Sequence, residues 1–279
     1  MEIKTLKPDK LSGIEKTLLI PLLSRALDSK SPKPILGESK AAELVDKIDF
    51  DFTNLENSLD KDEMMGHALR ARYFDNQVRQ YLSRFPNGIV VSIGSGLDSR
   101  FNRIDNGKLT FFDLDLPEVI NIRRKLLSES SRNQFIGCSV LDKSWMVEVA
   151  SIASKHTCPV LFIAEAVFMY LPREDVEVFF QQLGDTFPKA ELVFDVYSNF
   201  MVKMVRIMLK RSGLKQFQAE FKWGVKNSRE IESWLPNLQL ISDWSFFNEP
   251  ELRTSILRHI PFITKMTQIV HYKFTEAHY

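Results

Sequence analysis

From residue 89 onward the chain carries a series of short, continuous apolar runs: "IVVSI", "LTFFDLD", "QFIGCSV", "PVLFIAEAVFMY" and "ELVFDV". Stretches long enough for a helix separate them. A strand with one face in water alternates polar and apolar residues. A strand buried on both faces does not, and its alternation with helices implies parallel crossovers. The pattern predicts an α/β fold, a doubly wound and mostly parallel sheet. Two further strand-like runs, "LQLISDWSFF" and "MTQIVHYKF", come late, with the helix-like "PELRTSILRHI" between them.

Before residue 89 the period is helical. Ile14, Leu18, Leu19, Leu22 and Leu23 form one stripe, which Pro21 is expected to kink or divide. "ESKAAELVDKID" and "DEMMGHALRARYFDNQVRQYLSRFP" read as two more helices, the second ended by the turn Phe85-Pro86-Asn87-Gly88. After Asp195, "NFMVKMVRIMLKRSG" places Phe200, Met201, Met204, Val205 and Met208 on one face, and "NSREIESWL" is again helical. The expectation is a helical cap over 1–84 on a core over 85–279, with a helical lid at about 198–235 packed on the core or facing a substrate. A chain of 279 residues suits one large domain.

Composition narrows the function. A net charge of +1 leaves no basic footprint for nucleic acid. Cys138 and Cys158 sit in apolar surroundings, and their spacing is neither a disulfide framework nor a zinc site. They read as buried free thiols. His67, His156, His259, His271 and His278 form no metal-spaced cluster. Each reads as structural or exposed, with His67 of interest one helical turn before Arg70. No apolar leader and no run of about 18 apolar residues is present. A cytoplasmic protein without a membrane partner is expected, and nothing sets its oligomeric state.

The chemistry concentrates where strands end. "VVSIGSGLDSRF" runs from a strand into Gly94-Ser95-Gly96. Gly94 can take a positive φ, and Gly96 lets the backbone approach a ligand. A dinucleotide fingerprint would need a third glycine where Ser99 stands. This counts against a nicotinamide-dependent oxidoreductase, as does the lack of a Tyr-x-x-x-Lys pair. Asp98 suits a cap for the next helix at least as well as a ligand contact. The next strand ends on Asp113 and Asp115, and either carboxylate could hold two ribose hydroxyls, Asp115 being nearer the strand end. Asp195 and Tyr197 close the fifth strand, where they could contact substrate or hold a loop.

Taken together, "RARYFD", "VVSIGSGLDSRF", "FFDLDLPEVI", "AEAVFMYL" and "VFDVYS" resemble the leucine carboxyl methyltransferase family, in its bacterial polyketide-type O-methyltransferase branch. The match in order and spacing covers roughly residues 65–200. The resemblance implies S-adenosylmethionine as cofactor and methyl transfer to the carboxylate or hydroxyl of a small molecule. Protein C-terminal carboxyl methylation is the alternative within the family. It further implies Arg70 at the cofactor's carboxylate, Gly94 and Gly96 in the glycine loop, Asp115 at the ribose and Glu165 at the methionine end. Asp142 and Trp145 match the family's "D…W" after the third strand. Ser139 and Val140 stand where the family usually has Asp-Leu, which alters the adenine-side contact. Tyr170, Asp195 and Tyr197 are the candidates for a part in catalysis, and no metal is expected.

Overall fold

The computed structural model describes residues 17–211, 220–249, 251 and 259–275. Helices α1 (Leu19–Ser29), α2 (Ser39–Lys47), α3 (Thr53–Ser58) and α4 (Lys61–Arg84) precede β1 (Ile89–Ile93). Then follow α5 (Arg100–Ile104), β2 (Thr110–Asp115), α6 (Pro117–Leu126), β3 (Asn133–Gly137), α7 (Ser144–Ala153), β4 (Val160–Ala164), α8 (Arg173–Thr186), β5 (Glu191–Tyr197) and α9 (Asn199–Arg211). β6 (Leu238–Ser245) and β7 (Thr267–Phe274) complete one sheet of order β3-β2-β1-β4-β5-β7-β6. β1 to β5 pair in parallel, and β7 runs antiparallel between β5 and β6. This is the doubly wound α/β sheet expected from the apolar runs.

Pleating explains why those runs are continuous. Successive side chains of a strand point to opposite faces. Ile89, Val91 and Ile93 share a core with Trp145 of α7 and Phe179 and Phe180 of α8. Val90 faces the other way, into a core with Phe74, Val78 and Tyr81 of α4. A third cluster joins α1, α2 and α3 to Leu97, in the loop just after β1. The N-terminal helices therefore rest on the loop that the sequence marks as functional.

Several local expectations change. Pro21 sits in the first turn of α1, where an amide has no intrahelical partner to lose, so α1 is neither kinked nor divided there. "NSREIESWL" forms only a short 3-10 helix at Glu230–Trp234. Among the described side chains of α9, Val202 is buried, while Phe200 and Met204 are exposed. The side chain of Met208, Ile14 and most of "PELRTSILRHI" lie outside the described residues. Among the described residues no helix is long and apolar enough to cross a membrane.

Candidate active site

Strand order reverses direction between β1 and β4, and ligands of open α/β sheets bind beyond the carboxyl ends of the strands at such a point. The loops after these two strands interlock. Gly94 has φ +64°, and a Cβ there would lie 2.4 Å from Val167 Cγ2. Only glycine combines that conformation with that approach. Opposite it, Ala166 has φ 57°, a left-handed conformation that costs an alanine energy. Its N–H donates to Asp195 Oδ1 at 2.8 Å. Asp195 thus holds the β4 loop in its strained shape. It is 2% exposed and does not line the cavity beside it.

That cavity measures about 590 Å³, within the range of small-molecule sites. At one end lie Asp115, Val119, Cys138, Ser139 and Val140. Asp115 Oδ2 accepts from the Gly96 N–H and Oδ1 from the Leu116 N–H, both at 2.7 Å. These bonds fix its carboxylate against the glycine loop. Asp113 turns away from the cavity and pairs with Arg123 of α6 at 2.7 Å, both side chains buried. Arg123 Nη1 also donates to the Gly96 carbonyl at 3.0 Å. Of the two aspartates, the structure brings only Asp115 to the cavity. Ser139 and Val140 line it too, and buried Trp145 fixes their loop by donating from Nε1 to the Val140 carbonyl. Asp142 is exposed and accepts from the Ser144 N–H. Both thiols are only partly buried, and Cys138 lines the cavity.

Beneath the glycine loop lies a buried network of charges that the sequence reading did not foresee. Arg70 of α4 donates from Nε to Glu165 Oε1 at 2.8 Å, and its Nη1 is 3.8 Å from Asp195. Arg100 of α5 takes the other Glu165 oxygen at 2.6 Å and reaches Asp75 at 2.8 Å and Asp98 at 3.0 Å. Arg103 joins Asp75, Asp98 and Glu38. Arg25 of α1 pairs with Glu38 at 2.9 Å. Asp98 is therefore no cap: it accepts from Arg103 and faces Arg100, and the residue before α5 makes no capping bond. Burial alone would raise the Asp98 and Glu165 carboxyls. The neighbouring guanidiniums outweigh it and hold both below the ordinary range, Asp98 well below. One signal existed: Asp75 ends the quoted run "RARYFD", and Arg100 and Arg103 stand one helical turn apart.

The other end of the cavity is aromatic. Tyr170, Tyr197 and Phe221 line it, with Val205 of α9. Burial, with the Asp195 charge next, raises the Tyr197 hydroxyl, and burial raises Tyr170. Both tyrosines stay protonated and cannot serve as resting bases. Asp195 is pushed up to about 6, chiefly by burial and against the pull of Arg70. His67, the histidine of interest in the sequence, lines this end as well. Among the described residues no group of acidic, histidine and cysteine side chains could hold a metal ion.

The residues fit S-adenosylmethionine. A fixed carboxylate suits a ribose, the Arg70 guanidinium, whose Nη1 has only a long 3.8 Å ion pair to Asp195, suits an α-carboxylate, and buried Ser95 Oγ on the loop has no partner among the described residues. The comparisons agree. Residues 19–184 match the leucine carboxyl methyltransferase family. The tetracenomycin polyketide synthesis O-methyltransferase TcmP of Streptomyces glaucescens is 31% identical over 246 residues, 87% of either chain. An S-adenosyl-L-methionine-dependent methyltransferase of Gibberella zeae, dpfgK, is 28% identical, covering 82% of this chain and 81% of its own. A putative methyltransferase from Thermobifida fusca superposes with a TM-score of 0.55 at 15% identity, over 91% of this chain and 94% of that one, a likeness of fold alone. With its matched span and its sheet, the chain belongs to the leucine carboxyl methyltransferase family, whose members here are dependent on S-adenosylmethionine.

Proposed function

We propose that the protein transfers the methyl group of S-adenosylmethionine to an oxygen, carboxylate or hydroxyl, of a small, largely apolar acceptor. The observation that carries this reading is the division of one cavity into a polar half and an aromatic half. Asp115 holds the ribose hydroxyls, the Gly94–Gly96 loop supplies close backbone approach, and Ser139 and Val140 flank the adenine. Arg70 Nη groups pair with the α-carboxylate. Glu165 fixes Arg70 and sets a negative charge near the methionine end. When bound, the cofactor supplies an electrophilic methyl on a cationic sulfur, which the Tyr170 ring face and nearby carboxylates stabilise. Tyr170, Tyr197, Phe221 and Val205 exclude water and orient the acceptor, so positioning and desolvation provide most of the rate. Val205 of α9 and Phe221 serve as part of the wall over the acceptor, and α1, α2 and α3 as the cap over the loop after β1. An enclosed aromatic half suits a small molecule better than a protein tail.

The test is calorimetric titration with S-adenosylmethionine, S-adenosylhomocysteine and NAD. Binding of the first two and not the third is expected. Binding of NAD alone would overturn the reading.

A further inference from the structure

Lys222 stands on the wall of the aromatic half of the cavity, next to Phe221. Its backbone is held from both directions. The Lys222 N–H donates to the Met169 carbonyl at 2.7 Å, one residue before Tyr170. The Lys222 carbonyl accepts from Arg206 Nη2 of α9 at 2.8 Å. The neighbours are fixed as well. The Phe221 ring packs edge-on to Tyr197 and Tyr170, with centroids 4.9 and 5.6 Å away. Trp223 is buried and donates from Nε1 to the Phe168 carbonyl. The main chain of Lys222 is thus pinned over the aromatic half, while the residue itself is exposed at its edge. Among the described residues its ammonium has neither an ion pair nor a hydrogen bond.

The other cations on the cavity wall are committed. Arg25 pairs with Glu38, and Arg100 pairs with Asp75 and Glu165. Arg70 is held by Glu165, at the place of the cofactor's own carboxylate. Tyr170 and Tyr197 stay protonated and carry no charge. Glu63, an acid at this end, also lines a smaller cavity of about 250 Å³, which Lys222 does not line. Burial and the Asp60 charge raise the Glu63 carboxyl. Lys222 is therefore the positive pole of the aromatic half. An apolar wall with one unpaired cation at its edge fits an acid with an apolar body. The rings take the body, and the single charged group fixes its orientation.

We propose that Lys222 determines specificity by pairing with the carboxylate of the acceptor. The inference rests on the methyl-transfer reading above and names the residue that chooses between the two oxygens left open there. In the step, a lone pair of the carboxylate oxygen forms the O–C bond. The S–C bond breaks, and its electron pair stays on sulfur. No proton moves. An anionic acid and a cationic sulfonium become a neutral ester and a neutral thioether. The ester no longer pairs with Lys222, so the contact that draws the acid in does not retain the product. A carboxylate loses charge as it reacts. Lys222 accordingly holds the ground state at least as firmly as the transition state, and its effect falls on KM rather than on kcat.

The experiment uses the full chain loaded with S-adenosylhomocysteine and two probes of one shape, 1-naphthoate and the neutral 1-naphthamide. Calorimetry gives both affinities in wild type, Lys222→Gln and Lys222→Arg. Wild type should bind naphthoate about tenfold tighter than the amide, the worth of a charged hydrogen bond. Lys222→Gln should lose most of that preference, and Lys222→Arg should keep it. Affinity for S-adenosylhomocysteine should stay within about threefold across the three proteins, since Lys222 pairs with the acceptor and not with the cofactor. Added salt should weaken the preference of wild type and leave Lys222→Gln unchanged. Where naphthoate turns over, KM should rise in Lys222→Gln with kcat little changed. A wild-type complex that takes naphthoate no better than the amide would overturn the inference. So would a preference that survives in Lys222→Gln, or a loss of about tenfold in the affinity of that variant for S-adenosylhomocysteine. Failure of wild type to bind S-adenosylhomocysteine would instead strike the methyl-transfer reading beneath it.

Discussion

Asp113 and Asp115 show how two residues of one type, two apart on one strand, acquire different roles. Asp115 takes two backbone N–H groups and keeps its place on the cavity wall. Asp113 is sealed against Arg123, with both side chains 1% exposed. The difference predicts opposite phenotypes. Asp115→Ala should weaken S-adenosylhomocysteine binding by about 1–3 kcal/mol, the worth of charged hydrogen bonds, and change folding stability less. Asp113→Ala leaves the Arg123 guanidinium buried and unpaired, and should cost about 3–5 kcal/mol of stability. Calorimetric titration and denaturant melts of the two variants separate the roles. Binding loss in Asp113→Ala at unchanged stability would reverse the assignment.

At the scale of elements, the strands and long helices could be read from the sequence because each is written in a local period. The continuous apolar runs reflect strands covered on both faces, and α4 follows a helical stripe ended by a turn. The buried charges could not be read this way. Arg100 meets Asp75 from another helix, and Arg103 meets Glu38, the residue before a third. Taken alone, each residue looks like part of a solvated helix face. Glu191, at the start of β5, is another such tie. It receives two bonds from Arg84 at the end of α4, at 2.8 and 2.7 Å, and one from His271 of β7 at 2.9 Å. Burial would raise its carboxyl, but His271 and Arg84 prevail and hold it at about 2. The unfolded chain binds that proton at an ordinary pKa, so the contribution is complete above about pH 4.5 and is lost as pH falls toward 2. Arg84 is half-exposed, which screens the pair. Glu191→Gln should therefore destabilise the protein by only about 1–2 kcal/mol at pH 7. The difference from wild type should shrink in melts at pH 3. A constant difference across that range would mean that the carboxylate charge is not what ties α4 to the sheet.

At the scale of the whole molecule, the cofactor site joins parts of the chain that have separate cores. The N-terminal helices cluster around Leu97, α4 covers one face of the sheet, and α7 and α8 cover the other. Arg25, Glu38, Arg103, Asp75, Arg100, Glu165 and Arg70 bind α1, the start of α2, α4, α5 and the β4 loop into one charge network under the glycine loop. Removing any one of these elements leaves a buried charge without its partner, which costs several kcal/mol. The cap and the core should consequently unfold together. A ligand that binds only the folded state stabilises it by RT ln(1 + [L]/Kd), about 2.7 kcal/mol at a hundredfold excess over Kd. For a chain of this size each kcal/mol is worth roughly 2–4 °C in Tm. Scanning calorimetry with S-adenosylhomocysteine at that excess should show one transition moved up by about 5–10 °C. At the same ligand concentration the Asp115→Ala transition should move by much less. Two transitions, with only the later one responding to ligand, would show that the helices before β1 fold apart from the site they cover.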